Sequence, residues 1–291
     1  MKKFHLISFA AWEERFFLGA SRACEDIKFE RATIFYSRKY SKETDDNRTK
    51  LANKLSEKNI ECQIEEVDFS SQPTCWKAVK NYFDSHKIGK NVLVDITTMP
   101  REIIWYIFLF LKQKKANVEF IYHKPVSYGS WLTEDTDIPR FPLKLSGLSD
   151  ISKKTFLLIV TGYDPDRAEQ ICNYFEPDKV CFAIQSGKQF DNISLNLKAH
   201  KALIEEFDAL TIDINCYGND WGEEQLSKII KEYVSTHNLI LASLGPKPSA
   251  VALFRLAVKY PEVALCYAPS KKFNMHYSSG CGDSYRGAVI P

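Results

Sequence analysis

The amino-acid sequence runs twice through an alternation of strand-like and helix-like segments, with a break near the middle of the chain. The apolar run Asn91–Thr97 is typical of a buried strand, and Arg101–Lys115 behind it is apolar on nearly every helical face. Val118–His123 is again strand-like, and after a loop-rich stretch the alternation restarts at Thr155–Thr161. Alternation of this kind predicts an α/β fold in which a mainly parallel sheet is covered by helices.

The two halves of the chain can be laid over one another at a nearly constant spacing. The matching segments have offsets of 147 (238 − 91), 145 (262 − 117) and 152 (164 − 12) residues: 91–100 with 238–247, 117–122 with 262–267, and 12–15 with 164–167. We therefore predict two tandem Rossmann-like domains produced by internal duplication. The first copy covers residues 1–145 and the second covers 150–291. Two unrelated α/β halves that share only this periodicity are the alternative.

Composition and charge argue against several classes of protein. The 291 residues are 45% hydrophobic and 26% charged, as in ordinary globular proteins. Lys and Arg total 39 against 37 Asp and Glu, so the net charge of +2 gives no sign of duplex nucleic-acid binding. The longest apolar run, Ile103–Leu111, is far shorter than the ~20 residues of a membrane span, and the apolar stretch near the N-terminus is too short for a signal peptide. We therefore expect a cytoplasmic protein without membrane contact.

The cysteine and histidine patterns predict neither a metal site nor a disulfide framework. The eight cysteines contain no Cys-x-x-Cys pair, and no two of the six histidines have helical ligand spacing. Because nothing indicates secretion, the cysteines are expected to be reduced thiols in the core. The motifs Gly-x-x-x-x-Gly-Lys-Ser/Thr, Gly-x-Ser-x-Gly and His-Glu-x-x-His are absent. The sequence therefore leaves open whether the protein is an enzyme.

Ligands of open α/β sheets bind beyond the carboxyl ends of the strands, and this rule selects the loops to inspect. After the most apolar strand of the first half, Thr97 and Thr98 offer hydroxyls at the start of a helix, and Arg101 offers a forked donor for phosphate. The equivalent loop of the second half carries Gly245, which permits close backbone approach, and Lys247, which adds a positive charge. The alternative is structural: a threonine that caps its helix, a solvated arginine and a tight turn stiffened by prolines.

The loops after the first strand of each half carry an aromatic residue, Trp12 or Tyr163, that can stack on a base. Packing against the protein is the alternative. Gly162 resembles the start of a nucleotide-binding turn, but the full Gly-x-Gly-x-x-Gly is absent and nearby acidic residues would repel a pyrophosphate. No cofactor is therefore predicted. The segment 271–282 follows the last strand and can return over the same edge as a ligand-covering loop. The alternative is a disordered or edge-covering tail.

The loop after the apolar strand resembles a motif of the CARF family, Rossmann-like sensors that bind cyclic oligoadenylates in prokaryotic antiviral systems. In that family a buried strand ends in Asn/Asp-Ile-Thr, followed by two glycines, Thr and Lys, and then a helix. Here Asp95-Ile96-Thr97 stands at the first three positions and Arg101 at the basic one. Thr98 and Met99 replace the glycines, and Pro100 also departs from the pattern. The resemblance implies a nucleotide pocket between two such units, which CARF sensors usually form from two chains.

These features predict a cytoplasmic nucleotide-binding or nucleotide-sensing protein, and the resemblance to CARF sensors implies that it is an accessory of prokaryotic antiviral defence. Its phosphate-bearing ligand would lie at the carboxyl-end edges between the two halves, and a separate effector protein would respond to it. The predicted ligand-binding residues are Thr97, Thr98, Arg101, Gly245, Lys247, Trp12 and Tyr163. Two other interpretations stay open: a nucleotide-processing hydrolase that uses the same edge, and a ligand-free interaction subunit of a larger complex.

Overall fold

The computed structural model describes residues 2–129, 133–186 and 192–290 of the chain. The chain divides into two compact units. The first consists of Met1–Leu132 together with Asn274–Pro291, and the second of Thr133–Phe273. Within the described ranges, every helix is too short or too polar to span a membrane.

Strands and helices alternate along both units. In chain order the first unit begins with β1 (Phe4–Phe9), α1 (Glu14–Asp26), β2 (Phe29–Ser37), α2 (Asp45–Glu57), β3 (Glu61–Val67), α3 (Gln72–Ser85), β4 (Asn91–Asp95), α4 (Arg101–Gln113), β5 (Asn117–His123) and β6 (Ser127–Tyr128). The second unit contains β7 (Thr133–Thr136), β8 (Lys154–Val160), α5 (Pro165–Phe175), β9 (Lys179–Gln185), α6 (Asn192–Glu206), β10 (Leu210–Ile214), α7 (Glu223–Tyr233), β11 (His237–Ser243), α8 (Pro248–Lys259), β12 (Ala264–Cys266) and β13 (Ser270–Phe273). The C-terminal segment adds β14 (Ser278–Ser279) and β15 (Ser284–Ala288) to the first unit.

Each unit is built on one main sheet. The strand order is β15-β5-β4-β1-β2-β3 in the first unit and β10-β9-β8-β11-β12 in the second. Neighbouring strands of both sheets are parallel, except that β15 runs antiparallel to β5. Both sheets thus contain the order 3-2-1-4-5 of a Rossmann-like sheet. The predicted α/β fold with Rossmann-like, mainly parallel sheets is confirmed, whereas internal duplication stays a prediction.

The C-terminal segment belongs to a different unit from the one that the sequence predicted. β15 pairs with β5, and β14 pairs with β6. In the second unit, β7 pairs with β13. The predicted boundaries of 1–145 and 150–291 therefore differ from the observed ones, because residues from 133 on join the second unit and those from 274 on join the first. Such edge strands pair with partners far away in the sequence, which local periodicity does not record.

Apolar burial explains why the central elements form where they do. Val92–Val94 of β4 is fully buried, and α4 is buried along Ile103–Phe108. In the second unit, α8 is buried along Ala250–Phe254. Full burial of each Val, Ile, Leu or Phe side chain among them stabilises the folded state by about 1.5–3 kcal/mol. The strands and helices that carry the candidate site are therefore anchored in the two cores.

Local sequence also sets where the helices begin. Ser71 accepts a hydrogen bond from the backbone N–H of Thr74 at the start of α3, and Asp164 accepts one from the backbone N–H of Arg167 at the start of α5. Both helices carry a proline in their first turn. Side-chain oxygens at this position satisfy backbone donors that the helix leaves free, and proline lacks a donor there.

Candidate functional site

In each unit the strand order reverses at the first strand. β1 lies between β2 and β4, and β8 lies between β9 and β11. Ligands of open α/β sheets bind at such a switch point, outside the carboxyl ends of the strands. The loops at this position are 10–13 and 96–100 in the first unit, and 161–164 and 244–247 in the second. The residues that the sequence singled out all lie on these loops or on the first helical residue behind them.

The threonines of the first unit have hydrogen-bond partners inside the protein. Thr97 is fully buried, and its Oγ1 accepts a hydrogen bond from the backbone N–H of His123 at 3.0 Å. The Thr98 hydroxyl donates to the backbone carbonyl oxygen of Phe9 at 2.6 Å. The Asp95 carboxylate accepts the backbone N–H of Thr97 at 2.9 Å. A ligand that used these hydroxyls would have to displace bonds that tie the loop after β4 to β5 and β1.

The two cations of the candidate site stand at the starts of equivalent helices. Arg101 is the first residue of α4, and Lys247 is the residue that precedes α8. Both are partly exposed, and both also contact other protein groups. The start of a helix carries a partial positive charge, so a cation there adds to a positive potential. Each unit therefore presents a position that attracts an anion.

The two glycines in the loops of the second unit allow the backbones of these two loops to approach each other closely. A Cβ atom on Gly245 would lie 2.6 Å from the carbonyl oxygen of Thr161, and one on Gly162 would lie 2.2 Å from that of Leu244. The backbone N–H groups of Leu244 and Gly245 both donate to the carbonyl oxygen of Val160, at 2.9 and 3.0 Å. The sequence predicted that Gly245 lets a ligand approach the backbone, whereas the structure shows the neighbouring loop there.

The two aromatic residues differ in their surroundings. Trp12 is partly buried, and its ring meets that of Tyr40 edge-on with centroids 5.1 Å apart. The Asn47 amide holds this loop by donating to the backbone carbonyl oxygen of Trp12 at 3.1 Å. Tyr163 in the second unit is 41% exposed. Trp12 therefore packs against the protein, which is the alternative that the sequence left open, while Tyr163 presents its ring to solvent.

A buried arginine lies at the same edge of the first unit. Arg15, in the first turn of α1, is 3% exposed, forms an ion pair with Glu13, and donates to the carbonyl oxygen of His123 at 3.1 Å and the hydroxyl of Ser278 at 3.2 Å. Burial lowers the pKa of Arg15, but attraction to Glu13 and to nearby tyrosines outweighs burial and raises it overall. Arg15 is therefore charged and bridges α1, the end of β5 and the C-terminal segment.

The C-terminal segment belongs to the first unit and not to the second, with which the sequence grouped it. The backbone N–H of Gly280 donates to the Glu14 carboxylate, and Arg22 donates to the carbonyl oxygen of Cys281 at 2.8 Å. Both partners lie on α1 of the first unit. Hydrogen bonds to α1 and pairing with β6 thus hold the part of 271–282 from residue 274 on in the first unit. This pairing agrees with the alternative of a tail that covers a strand edge, whereas a ligand-covering role stays a prediction.

Three polar side chains are buried near the ends of adjacent strands, and two of them, Ser8 and His123, were missed by sequence reasoning. Ser8 and Asp95 come directly after the residues through which β1 and β4 pair with each other, and His123 is the last residue of β5. Ser8 Oγ, Asp95 Oδ2 and His123 Nε2 are buried without a partner among the described residues. Burial lowers the pKa of His123, against the opposing charge of Asp95. Polar residues near the ends of otherwise apolar strands were the signal, and unsatisfied groups of this kind are suited to a buried water.

His123 is fixed from two sides. Its Nδ1 lies 2.7 Å from the Ser284 hydroxyl, on the antiparallel strand β15. A Cβ atom on Gly19 of α1 would lie only 2.3 Å from the ring of His123, so the ring occupies the space that the glycine leaves. The described residues contain no cluster of histidine, cysteine or carboxylate groups suited to a metal ion. The first unit thus has a fixed, buried imidazole whose pKa is lowered by burial and raised in part by the charge of Asp95.

Comparisons with known proteins identify no relative. No protein-family model matches the chain, and no curated protein matches it in sequence. A solved structure, the cytoplasmic domain of a prokaryotic cation chloride cotransporter, has 8% identity and a TM-score of 0.32 over 94% of this chain and 99% of its own. A periplasmic sugar-binding protein from Pseudomonas fluorescens has 8% identity and a TM-score of 0.23, over 88% of this chain and 65% of its own. TM-scores this low establish neither a common fold nor a function.

Proposed function

We propose that this protein binds a nucleotide or another phosphate-bearing small molecule at the carboxyl ends of its strands and acts as a sensor of that ligand. The observation that carries the proposal is the strand order. Both sheets have the order 3-2-1-4-5, and the switch point of such a sheet is where ligands bind in open α/β folds.

The charges at the switch points favour an anionic ligand. Arg101 and Lys247 stand at the starts of the helices that follow the fourth strand of each sheet. Because the helix dipole is also positive there, a phosphate group would be attracted by both the side chain and the backbone. The exposed ring of Tyr163 gives the second unit a surface on which a base can stack.

The resemblance of Asp95-Ile96-Thr97 and Arg101 to the motif of cyclic-oligoadenylate sensors supports a sensing role in prokaryotic antiviral defence. In this proposal the protein acts in the cytoplasm, and a separate effector protein responds to the bound state. Ligand binding shifts the population of conformations, and the effector distinguishes the bound from the free form.

A thermal-shift screen with mononucleotides, dinucleotides and cyclic oligonucleotides tests the proposal. A ligand at a hundred times its dissociation constant is expected to stabilise the protein by about 2.7 kcal/mol. Chromatography of the nucleotide after incubation then distinguishes a sensor, which leaves it intact, from a nucleotide-processing hydrolase, which converts it. A chain that no nucleotide stabilises would contradict the proposal.

A further inference from the structure

Arg167, in the first turn of α5, is a buried cation without a carboxylate partner. The residue is 8% exposed. Its guanidinium donates to the backbone carbonyl oxygen of Ala268 and, at 3.5 Å, to the hydroxyl of Thr133. The Nε–H is buried without a partner. Across the part of the chain that the structure describes, no ion pair of Arg167 is found. Its donors are thus only partly satisfied, and only by neutral oxygens.

The first unit shows how such an arginine is neutralised inside the protein. Arg15 and Arg167 both stand in the first turn of the helix after the first strand, and both donate to a carbonyl oxygen at or just beyond the end of the fifth strand. Arg15 forms an ion pair with Glu13. At the offset of 152 residues that aligns these loops, Pro165 stands in the place of Glu13. The second unit therefore has the buried arginine without its carboxylate.

Nearby charged groups do not replace that carboxylate. Asp164 attracts Arg167, but its carboxylate caps α5 by accepting the backbone N–H of Arg167 at 3.1 Å, and burial raises its pKa. His200 on α6 is fully buried and burial lowers its pKa, but an imidazole supplies no negative charge whether protonated or not. Burial also lowers the pKa of Arg167 itself. A buried charge with no close counterion is costly, so an anion bound beside Arg167 would offset that cost.

We propose that the second unit has an anion-binding site centred on Arg167, which takes the phosphate group of a small-molecule ligand. The unpartnered Nε–H is the donor left for an oxyanion, and a guanidinium binds phosphate through charge-assisted hydrogen bonds. The site stands at the carboxyl end of β8, on the same edge as the loop of Lys247. The assignment deepens the proposed function by naming the residue that holds the phosphate, and rests on that function for the identity of the anion.

Equilibrium dialysis of the full chain with labelled inorganic phosphate at fixed ionic strength tests the site. The wild type is expected to bind one phosphate per chain saturably, and acetate to compete poorly. Arg167→Lys keeps the charge but loses the Nε–H, so binding is expected to weaken about tenfold. Pro165→Glu places a carboxylate where the first unit has Glu13, and is expected to abolish phosphate binding while circular dichroism shows an intact fold.

Arg15→Lys is the matched control, because it alters the equivalent arginine that already has a carboxylate. It is expected to leave phosphate binding unchanged. The proposal is overturned if the wild type binds no phosphate saturably, or if Arg167→Lys and Pro165→Glu both bind it as the wild type does. Equal competition by acetate would overturn the assignment to phosphate.

The same variants separate this proposal from the proposed function. If Arg167→Lys and Pro165→Glu bind nucleotide with the affinity of the wild type, the sensor function is retained and the proposed role of Arg167 is overturned. If the protein binds no nucleotide but binds phosphate in a manner that depends on Arg167, the anion site is retained and the proposed sensor function is overturned.

Discussion

The hydroxyl of Thr98 donates a hydrogen bond to the backbone carbonyl oxygen of Phe9 at 2.6 Å. Phe9 ends β1 and Thr98 lies between β4 and α4, so this bond joins the two sides of the switch point in the first unit. Thr98→Val keeps the shape of the side chain and removes the donor, and is expected to lower the free energy of unfolding by about 1–3 kcal/mol. Urea denaturation measures the change. Thr98→Ser keeps the donor and serves as control, and equal stability of the two variants would contradict this structural role.

Gly245→Ala tests the close approach of two loops in the second unit. The added methyl would lie 2.6 Å from the carbonyl oxygen of Thr161, so the loops must move apart. We expect a loss of about 1–3 kcal/mol in the free energy of unfolding, as for other overpacked sites. Gly218→Ala, where the nearest atom would be 3.2 Å away, should cost less. If the Gly245→Ala variant is as stable as the wild type in urea denaturation, Gly245 is not needed for packing.

Arg15→Met tests the buried ion pair of the first unit. The substitution leaves Glu13, whose side chain is 15% exposed, without its cation. Breaking a buried pair in this way typically costs about 3–5 kcal/mol. The double variant Arg15→Met with Glu13→Gln removes both charges and is expected to recover part of the loss. Urea denaturation of the wild type, Arg15→Met, Glu13→Gln and the double variant measures the coupling energy between the two residues. Additive changes in the free energy of unfolding would argue against a direct interaction.

His5 predicts a pH dependence of stability. It is fully buried, its Nε2 lies 2.9 Å from the Thr33 hydroxyl, and burial, with a smaller effect of Arg31, lowers its pKa from 6.5 to about 4. Between these two values the unfolded chain binds more protons than the folded one. The free energy of unfolding therefore falls as the pH decreases from 6.5 to about 4, by up to about 3 kcal/mol from this group.

Urea titrations at several pH values across this window measure the dependence. His5→Gln is expected to make the fall less steep. His276→Gln is the control, because His276 is exposed, and is expected to leave the slope unchanged. An identical slope in the wild type and His5→Gln would show that His5 does not contribute.

Much of the fold could be predicted because its signals are local. The apolar run at 91–97 and the largely apolar helix predicted at 101–115 correspond to β4 and α4, which end at Asp95 and Gln113. The pairing of β15 with β5 could not be predicted in this way. Its residues, Ser284–Ala288, show no strong alternation, and the partner strand lies about 160 residues earlier in the chain.

The positions of the candidate loops in the sheets could be predicted from the sequence, but the contacts of their residues could not. The rule on carboxyl ends selected the loops of Thr98, Arg101 and Lys247, because it depends only on strand order. The partners of Thr97 and Thr98 are backbone groups 26 and 89 residues away, which no local pattern reveals. Arg15 and Arg167 occupy matching positions in the aligned segments 12–15 and 164–167. Their burial could not be predicted, because their carbonyl partners lie at or beyond the ends of the fifth strands and are brought close only by the tertiary structure.

The measurement that tests the account most directly is a calorimetric titration of the full chain with nucleotides at fixed salt. The double variant Arg101→Ala with Lys247→Ala removes the cations at the starts of α4 and α8. The matched control, Lys112→Ala with Lys259→Ala, removes exposed cations from the last turns of the same helices. We expect saturable binding by the wild type and the control, and a loss of at least about tenfold in affinity in the first double variant. Binding by no nucleotide, or equal binding by both double variants, would contradict this expectation.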